Sequence, residues 1–205
     1  VIDSAGNVSC KALGEEGDYG HHCVLDRNPA LSDLKLRSYR TNKKITIDGN
    51  LSEWAPRDSV VFFNNDNTIV AYSLWNNKNV FFGIRVEDKS IISQLKPGEA
   101  ITDLYRQDIV ELYLDVNHDH FEIRSFPDRT FFLSPSGTLY ERRNLYDGFD
   151  YEYHYIYNKI NGKVNIQGTL NNELDVDRYY TIECAFSWED LSVDPKNICL
   201  LYTSP

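Results

Sequence analysis

The chain has 205 residues, enough for one domain with a packed core and a tail. Apolar residues make up 41% and charged residues 25%, a composition that excludes collagen-like, coiled-coil and wholly disordered chains. The net charge of −10 disfavours nucleic acids and anionic lipid surfaces as partners, and no apolar run approaches the roughly 20 residues that a membrane span requires.

The N-terminal segment, residues 1–38, shows little periodic apolar pattern and is predicted to be a linker or the end of an upstream module. Cys10 and Cys23 lie close together in this polar stretch, which favours a disulfide and an oxidising compartment. Free thiols are the main alternative. A zinc site that adds His21 and His22 has weaker support, because the stretch lacks a C-x-x-C pair.

From residue 39 the pattern changes to short strands separated by turn residues. A strand at 44–48 leads to the turn dipeptide Asp48-Gly49, and the polar run at 76–79 predicts a hairpin. A short helix is predicted at 89–95, before Pro97-Gly98. The further predicted strands are 59–63, 69–75, 80–86, 109–116, 121–126, 130–133, 139–143, 151–157, 163–170 and 179–186. This series predicts an all-β fold, an antiparallel sandwich or barrel.

The strand at 109–116 has one apolar face and one polar face. Its apolar positions are Val110, Leu112, Leu114 and Val116, and they alternate with Glu111, Tyr113 and Asp115. The tryptophans Trp54, Trp75 and Trp188 are predicted to pack in the core, since each one adjoins an apolar strand or a turn.

Four segments in order carry a family resemblance: KITIDGNLSEW at 44–54, LWNNKNVFFGIRVED at 74–88, QDIVELYLD at 107–115 and YTIECAFSWEDL at 180–191. Together they resemble the family 9 carbohydrate-binding modules and their DOMON-like relatives. The resemblance implies a jelly-roll β-sandwich over residues 39–197 that binds an oligosaccharide or polysaccharide without cleaving it. It also implies attachment to a catalytic domain or surface protein and an extracellular, periplasmic or cell-surface location.

The resemblance also implies a set of ligand-binding residues. Tyr105 matches an aromatic platform residue, and Glu111 matches a residue that binds sugar hydroxyls. Gln107 and Arg124 are the other expected hydroxyl-binding residues, with Glu122 competing for the position of Arg124. A flat aromatic ring beside polar side chains suits the apolar face and the hydroxyls of a pyranose.

The C-terminal run CLLYTSP at 199–205 resembles a translated sequencing adapter. We therefore expect the native sequence to end near Asn197, with 198–205 as a non-native tail and the sandwich truncated. The family's second platform aromatic would follow the point where the chain stops.

Asp115, Asn117 and Asp119 place three oxygen ligands at alternate positions, which suggests a calcium loop. The Gly and Glu of an EF-hand loop are replaced here by His120 and Phe126, so a solvated hairpin turn is the alternative.

Three other functions have weaker support. No catalytic motif singles out a pair of carboxylates for glycoside hydrolysis, so we expect the chain not to be an enzyme. Haem binding would have to use His118, His120 or His154, because the chain has no Met. The main alternative to sugar binding is a structural or accessory sandwich without a sugar site.

Overall fold

The computed structural model describes residues 36–55, 59–64, 67–96, 107–114, 116, 128–144, 153–156 and 160–193. These residues form two β-sheets with no α-helix, so the predicted all-β sandwich is confirmed. None of them belongs to a helix long and apolar enough to cross a membrane. The N-terminal segment up to residue 35, the predicted strand at 121–126 and the tail at 198–205 lie outside the described residues.

The first sheet has six strands and is antiparallel except for one short pair. The strands are β1 (Tyr39–Arg40), β2 (Ser59–Asn64), β3 (Asn67–Trp75), β4 (Asn79–Glu87), β9 (Asn161–Gln167) and β10 (Tyr179–Ser187). The order is β1-β3-β4-β10-β9, with β2 pairing β3 and β1 parallel to β3. The predicted hairpin is confirmed as β3–β4, with Trp75 opposite Val80. Asn76 closes its turn, because its side chain accepts hydrogen bonds from the amides of Lys78 and Asn79.

The second sheet has four antiparallel strands in sequence order: β5 (Val110–Leu114), β6 (Arg129–Leu133), β7 (Leu139–Asn144) and β8 (Tyr153–Ile156). Within the described part of the chain β5 pairs only with β6, so it lies at an edge of this sheet. Leu112 lies opposite Phe131, and Glu111 lies opposite Phe132.

The core lies between the two sheets. Side chains alternate along each strand, and the inward set from both sheets forms one apolar cluster. Phe131 of β6 and Phe186 of β10 meet there with their ring centroids 4.2 Å apart. Arg129 and Glu141 also lie buried between the sheets, joined by a salt bridge of 2.8 Å.

A second apolar cluster covers the outer face of the six-stranded sheet. Trp54 packs there with Leu74 and Phe81. The Trp54 indole also donates a 2.8 Å hydrogen bond to the buried carboxylate of Glu183 on β10. The second oxygen of Glu183 accepts hydrogen bonds of 2.9 Å from the amides of Asp48 and Gly49. The predicted Asp-Gly turn is thus held on the sheet by one buried carboxylate.

The predicted strand at 44–48 is wrong: this segment joins neither sheet. Its alternating apolar residues, Ile45 and Ile47, pack instead on the outer cluster around Trp54. Side-chain carboxylates take two of its amides, since that of Thr46 donates to Glu53 and that of Asp48 to Glu183. Those amides are therefore not used in a strand ladder.

The predicted helix at 89–95 is also wrong. Residues 90–95, which we call the strap, follow an irregular path with no helical hydrogen bonds. The physical reason is that side chains from distant parts of the chain accept hydrogen bonds from the strap's amides.

The three tryptophans pack as predicted. Trp54 and Trp188 are buried, at 5% and 4% exposure, and Trp75 is half-buried against the main core. The Trp188 indole donates a 2.7 Å hydrogen bond to the carbonyl oxygen of Asn76.

Candidate functional site

The candidate site lies on the outer face of β5, the first strand of the four-stranded sheet. Val110, Leu112 and Leu114 pack against the main core. Because side chains alternate along a strand, Glu111 and Tyr113 project from the opposite face. The predicted apolar and polar faces of this strand are therefore confirmed for the residues that the structure describes.

Glu111 and Tyr113 form a contact pair on this face. The Tyr113 hydroxyl donates a hydrogen bond to Oε2 of Glu111, and the Tyr113 side chain is 52% exposed. An ionised carboxylate accepts hydrogen bonds from hydroxyl groups, and a tyrosine ring offers a flat apolar surface with a polar tip. This arrangement can bind a molecule that presents both hydroxyls and an apolar face.

A buried aromatic layer supports the same face. Phe132, directly opposite Glu111 on β6, forms a cluster with Tyr140, Leu95 and Ile109. The Tyr140 hydroxyl donates a 2.8 Å hydrogen bond to the carbonyl oxygen of Lys96. The end of the strap is therefore packed onto the outer face that carries Glu111.

Gln107 lies just before β5 and makes internal hydrogen bonds. Its side-chain carbonyl oxygen accepts hydrogen bonds from the amides of Gln94 and Leu95, at 2.8 and 3.1 Å. The Ser93 hydroxyl lies 3.5 Å from the same oxygen. The role of Gln107 in sugar binding stays a prediction, and the structure places its carbonyl oxygen on the strap.

Side chains from three parts of the fold hold every amide of the strap. Those of Gln107 and Asp108 come from the start of β5, and the others come from the connection between β9 and β10 or from the end of β4. The bonds run from Ser90 to Asp88 (2.9 Å), Ile91 to Asp177 (2.7 Å), Ile92 to Asp108 (2.7 Å), Ser93 to Asn171 (2.8 Å), and Gln94 and Leu95 to Gln107. The strap therefore connects the start of β5 to the β9–β10 connection.

Three carboxylates converge on the first three strap amides. Burial, with the nearby charges of Asp88 and Asp177, raises the pKa of Asp108 to about 6. Burial also raises the pKa of the Tyr180 hydroxyl, and the charges of Asp108 and Asp88 add to this effect. Among the residues that the structure describes, no group of three or more His, Cys, Asp or Glu side chains is arranged to hold a metal ion.

The predicted site residues divide into two groups. Gln107 and Glu111 are brought to one region, at the start and on the outer face of β5. The others lie outside the described residues: Tyr105, Arg124 and the competing Glu122, the proposed calcium ligands Asp115, Asn117 and Asp119, and the cysteines Cys10 and Cys23. Their roles stay predictions.

Tyr113 was not singled out as a site residue from the sequence. The signal was present, because a two-residue alternation places it on the same face as Glu111. Its exposure and its hydrogen bond to Glu111 follow only from the structure.

Two solved structures are similar to this chain, both of a carbohydrate binding module family 9 from Caldicellulosiruptor kristjanssonii. The complex with glucose is 15% identical over 73% of this chain and 67% of that chain, with a TM-score of 0.47. The complex with cellotriose is 16% identical over 74% of this chain and 67% of that chain, with the same TM-score. No protein-family model matches the sequence, and no curated protein matches it.

Proposed function

We propose that this chain is a non-catalytic carbohydrate-binding sandwich and that the outer face of β5 contributes to its sugar site. The observation that carries the proposal is the Glu111–Tyr113 pair, a carboxylate beside an exposed aromatic ring on one solvent-facing strand. Sugar recognition needs hydrogen-bond acceptors for hydroxyls next to a flat surface for the C–H face of the ring. The ordered segments that resemble family 9 carbohydrate-binding modules support the same function.

In this proposal Tyr105, six positions before Glu111, adds a second stacking surface, and Arg124 adds a donor for ring or hydroxyl oxygens. The module would bring an attached catalytic domain or surface protein to an oligosaccharide or polysaccharide outside the cytoplasm. Calcium at Asp115, Asn117 and Asp119 would be a structural ion rather than a ligand for the sugar.

The test is isothermal titration of the protein with glucose, cellotriose and a panel of other monosaccharides and oligosaccharides. We expect Tyr105→Ala to abolish binding, and Glu111→Gln and Tyr113→Ala each to lower the affinity by about tenfold, which is about 1.4 kcal/mol. Tyr39→Ala is the matched aromatic control, because Tyr39 is 42% exposed but belongs to the other sheet.

A folded wild-type protein that gives no heat with any sugar would refute the proposal and favour a structural sandwich. Equal losses of sugar affinity for Tyr39→Ala and Tyr113→Ala would show that β5 is not part of the sugar site. The calcium proposal is tested separately, by measuring the melting temperature and the sugar affinity with calcium and with excess chelator. A structural ion should change the melting temperature more than it changes the affinity.

A further inference from the structure

We infer that Gln107 is a positioning residue of the proposed sugar site, which acts through its carbonyl oxygen on the strap and does not contact the sugar. The effect of Gln107 on sugar binding rests on the proposed function. Its effect on the strap, which it holds against the start of β5, does not.

Gln107 uses the hydrogen-bonding capacity of its side-chain carbonyl oxygen inside the protein. A side-chain carbonyl oxygen has two lone pairs, and here two amides donate to it, those of Gln94 at 2.8 Å and Leu95 at 3.1 Å. The Ser93 hydroxyl, 3.5 Å away, is a third and longer donor to the same oxygen, so protein groups fill its accepting capacity. A sugar hydroxyl that donated to it would have to displace a backbone amide.

Asn171 holds the opposite side of the strap. Asn171, in the β9–β10 connection, accepts a 2.8 Å hydrogen bond from the Ser93 amide and donates one of 2.8 Å to the Ser93 carbonyl oxygen. Asn171 has a φ of 61°, in the left-handed region that Asn tolerates better than most residues. The strap is therefore held from both sides around Ser93, by Asn171 and by Gln107.

Leu95 links the strap to the site. Leu95, whose amide Gln107 binds, packs against Phe132 and Tyr140. Phe132 lies directly opposite Glu111 in the sheet. If the Leu95 end of the strap moved, the aromatic cluster beside Glu111 on the outer face would lose a packing partner, and the position of Glu111 would become less fixed.

The experiment compares Gln107→Leu with Gln107→Glu. Leucine removes the acceptor and leaves the amides of Gln94 and Leu95 without it. Glutamate keeps an acceptor oxygen at the same distance from the backbone but loses the NH₂ donor. A positioning role through the oxygen therefore predicts rescue by glutamate. A direct contact between the NH₂ group and a sugar predicts that glutamate fails. Gln167→Leu is the matched control, because Gln167 is exposed on β9 in the other sheet.

Two readouts are measured on the full chain: amide hydrogen exchange at Gln94 and Leu95 without sugar, and titration with cellotriose and with the best-bound sugar of the wild type. We expect Gln107→Leu to speed exchange at both amides at least tenfold and to weaken binding about tenfold. Gln107→Glu should stay within about threefold of the wild type in both readouts, and Gln167→Leu should change neither.

Binding that is lost in Gln107→Glu while both amides stay protected would overturn the inference, since it would place the NH₂ group on the sugar. Unchanged exchange in Gln107→Leu would overturn it as well. If the wild type binds no sugar, the proposed function and the binding part of the inference fail together. The exchange measurement is independent of sugar, so it still decides whether Gln107 holds the strap.

Discussion

The buried carboxylate of Glu183 predicts different costs for two otherwise matched tryptophan substitutions. Trp54 and Trp188 are buried to the same degree, and each indole N–H makes one hydrogen bond. Replacing either indole by a phenyl ring removes a similar apolar area, which costs about 1 kcal/mol at roughly 25 cal/mol per Å². The acceptors differ: Trp188 donates to the backbone carbonyl of Asn76, and Trp54 donates to the Glu183 carboxylate.

A hydrogen bond to a neutral group contributes about 0.5–1.5 kcal/mol, and one to a charged group contributes about 1.5–3 kcal/mol. We therefore expect Trp188→Phe to lower the free energy of unfolding by about 2 kcal/mol and Trp54→Phe to lower it by about 3–4 kcal/mol. Urea denaturation at pH 7.5, followed by circular dichroism, measures both values.

The pH dependence of this difference is a second check. Burial raises the pKa of Glu183, so its charge is lost at a higher pH than that of an ordinary glutamate. The excess cost of Trp54→Phe should therefore shrink as the pH falls through that pKa. Equal costs for the two variants at pH 7.5 would show that the charge of Glu183 adds nothing to the Trp54 hydrogen bond, and the reasoning would fail.

Three further predictions concern buried groups. Because the folded-state pKa of Asp108 is raised to about 6 from an ordinary 3.8, its proton stabilises the fold fully below pH 3.8 and this stabilisation is lost as the pH rises through 6. Thermal melts should therefore show Asp108→Asn gaining stability over the wild type at pH 7.5 and not at pH 4, and a pH-independent difference would contradict this. Gly83→Ala should cost about 1–3 kcal/mol in urea, since a Cβ there would lie 2.9 Å from the Trp54 ring; a wild-type value would mean that the ring moves freely. Glu141→Gln should lower the free energy of unfolding by about 3–5 kcal/mol, because it breaks the buried salt bridge with Arg129. Replacing both residues by leucine should lower it less, since no buried charge is then left without its partner. A larger loss for the double leucine variant would contradict the view that both charges are desolvated.

The parts of the fold predicted correctly depend on local patterns. The alternation in β5 identifies its buried face without any knowledge of its neighbour, because a half-buried strand has a two-residue period. The β3–β4 hairpin follows from the Asn-rich turn at 76–79, where Asn76 satisfies two amides within three residues. In both cases the information lies within about ten residues of sequence.

The two wrong predictions share one physical cause: a distant side chain takes backbone amides that a local prediction assigns to regular structure. At 44–48 the carboxylate of Glu183, 135 residues further along the chain than Asp48, binds the Asp48 amide. In the strap, Asp177 binds the amide of Ile91 across 86 residues. Such pairs have no local signature, because the acceptor becomes adjacent only after the sheets form.

The candidate site shows the same division between local and distant information. The sequence is sufficient to place Glu111 and Tyr113 on one solvent-facing side of β5, since only the alternation is needed. It is not sufficient to assign a role to Gln107, because that role depends on where the strap runs. A glutamine before a strand can point to ligand or to protein. Here its carbonyl oxygen accepts from Gln94 and Leu95, in a strap that Asn171 also holds at Ser93.

The contacts of the strap also show why no helix forms at 89–95. Ile91, Ile92 and Leu95 occupy helical spacing, but in a helix over 89–95 the amides of residues 92–95 would donate to the carbonyls four residues earlier, since only the amides of the first turn lack such a partner. Here six consecutive amides, those of residues 90–95, donate to side chains instead. Helix formation would therefore break the four bonds made by the amides of residues 92–95 and leave the Asp108 carboxylate without its Ile92 donor in a partly buried region, which is costly. The strap's conformation is thus imposed by its acceptors, and substitutions at those acceptors should disturb it more than substitutions at its own exposed side chains.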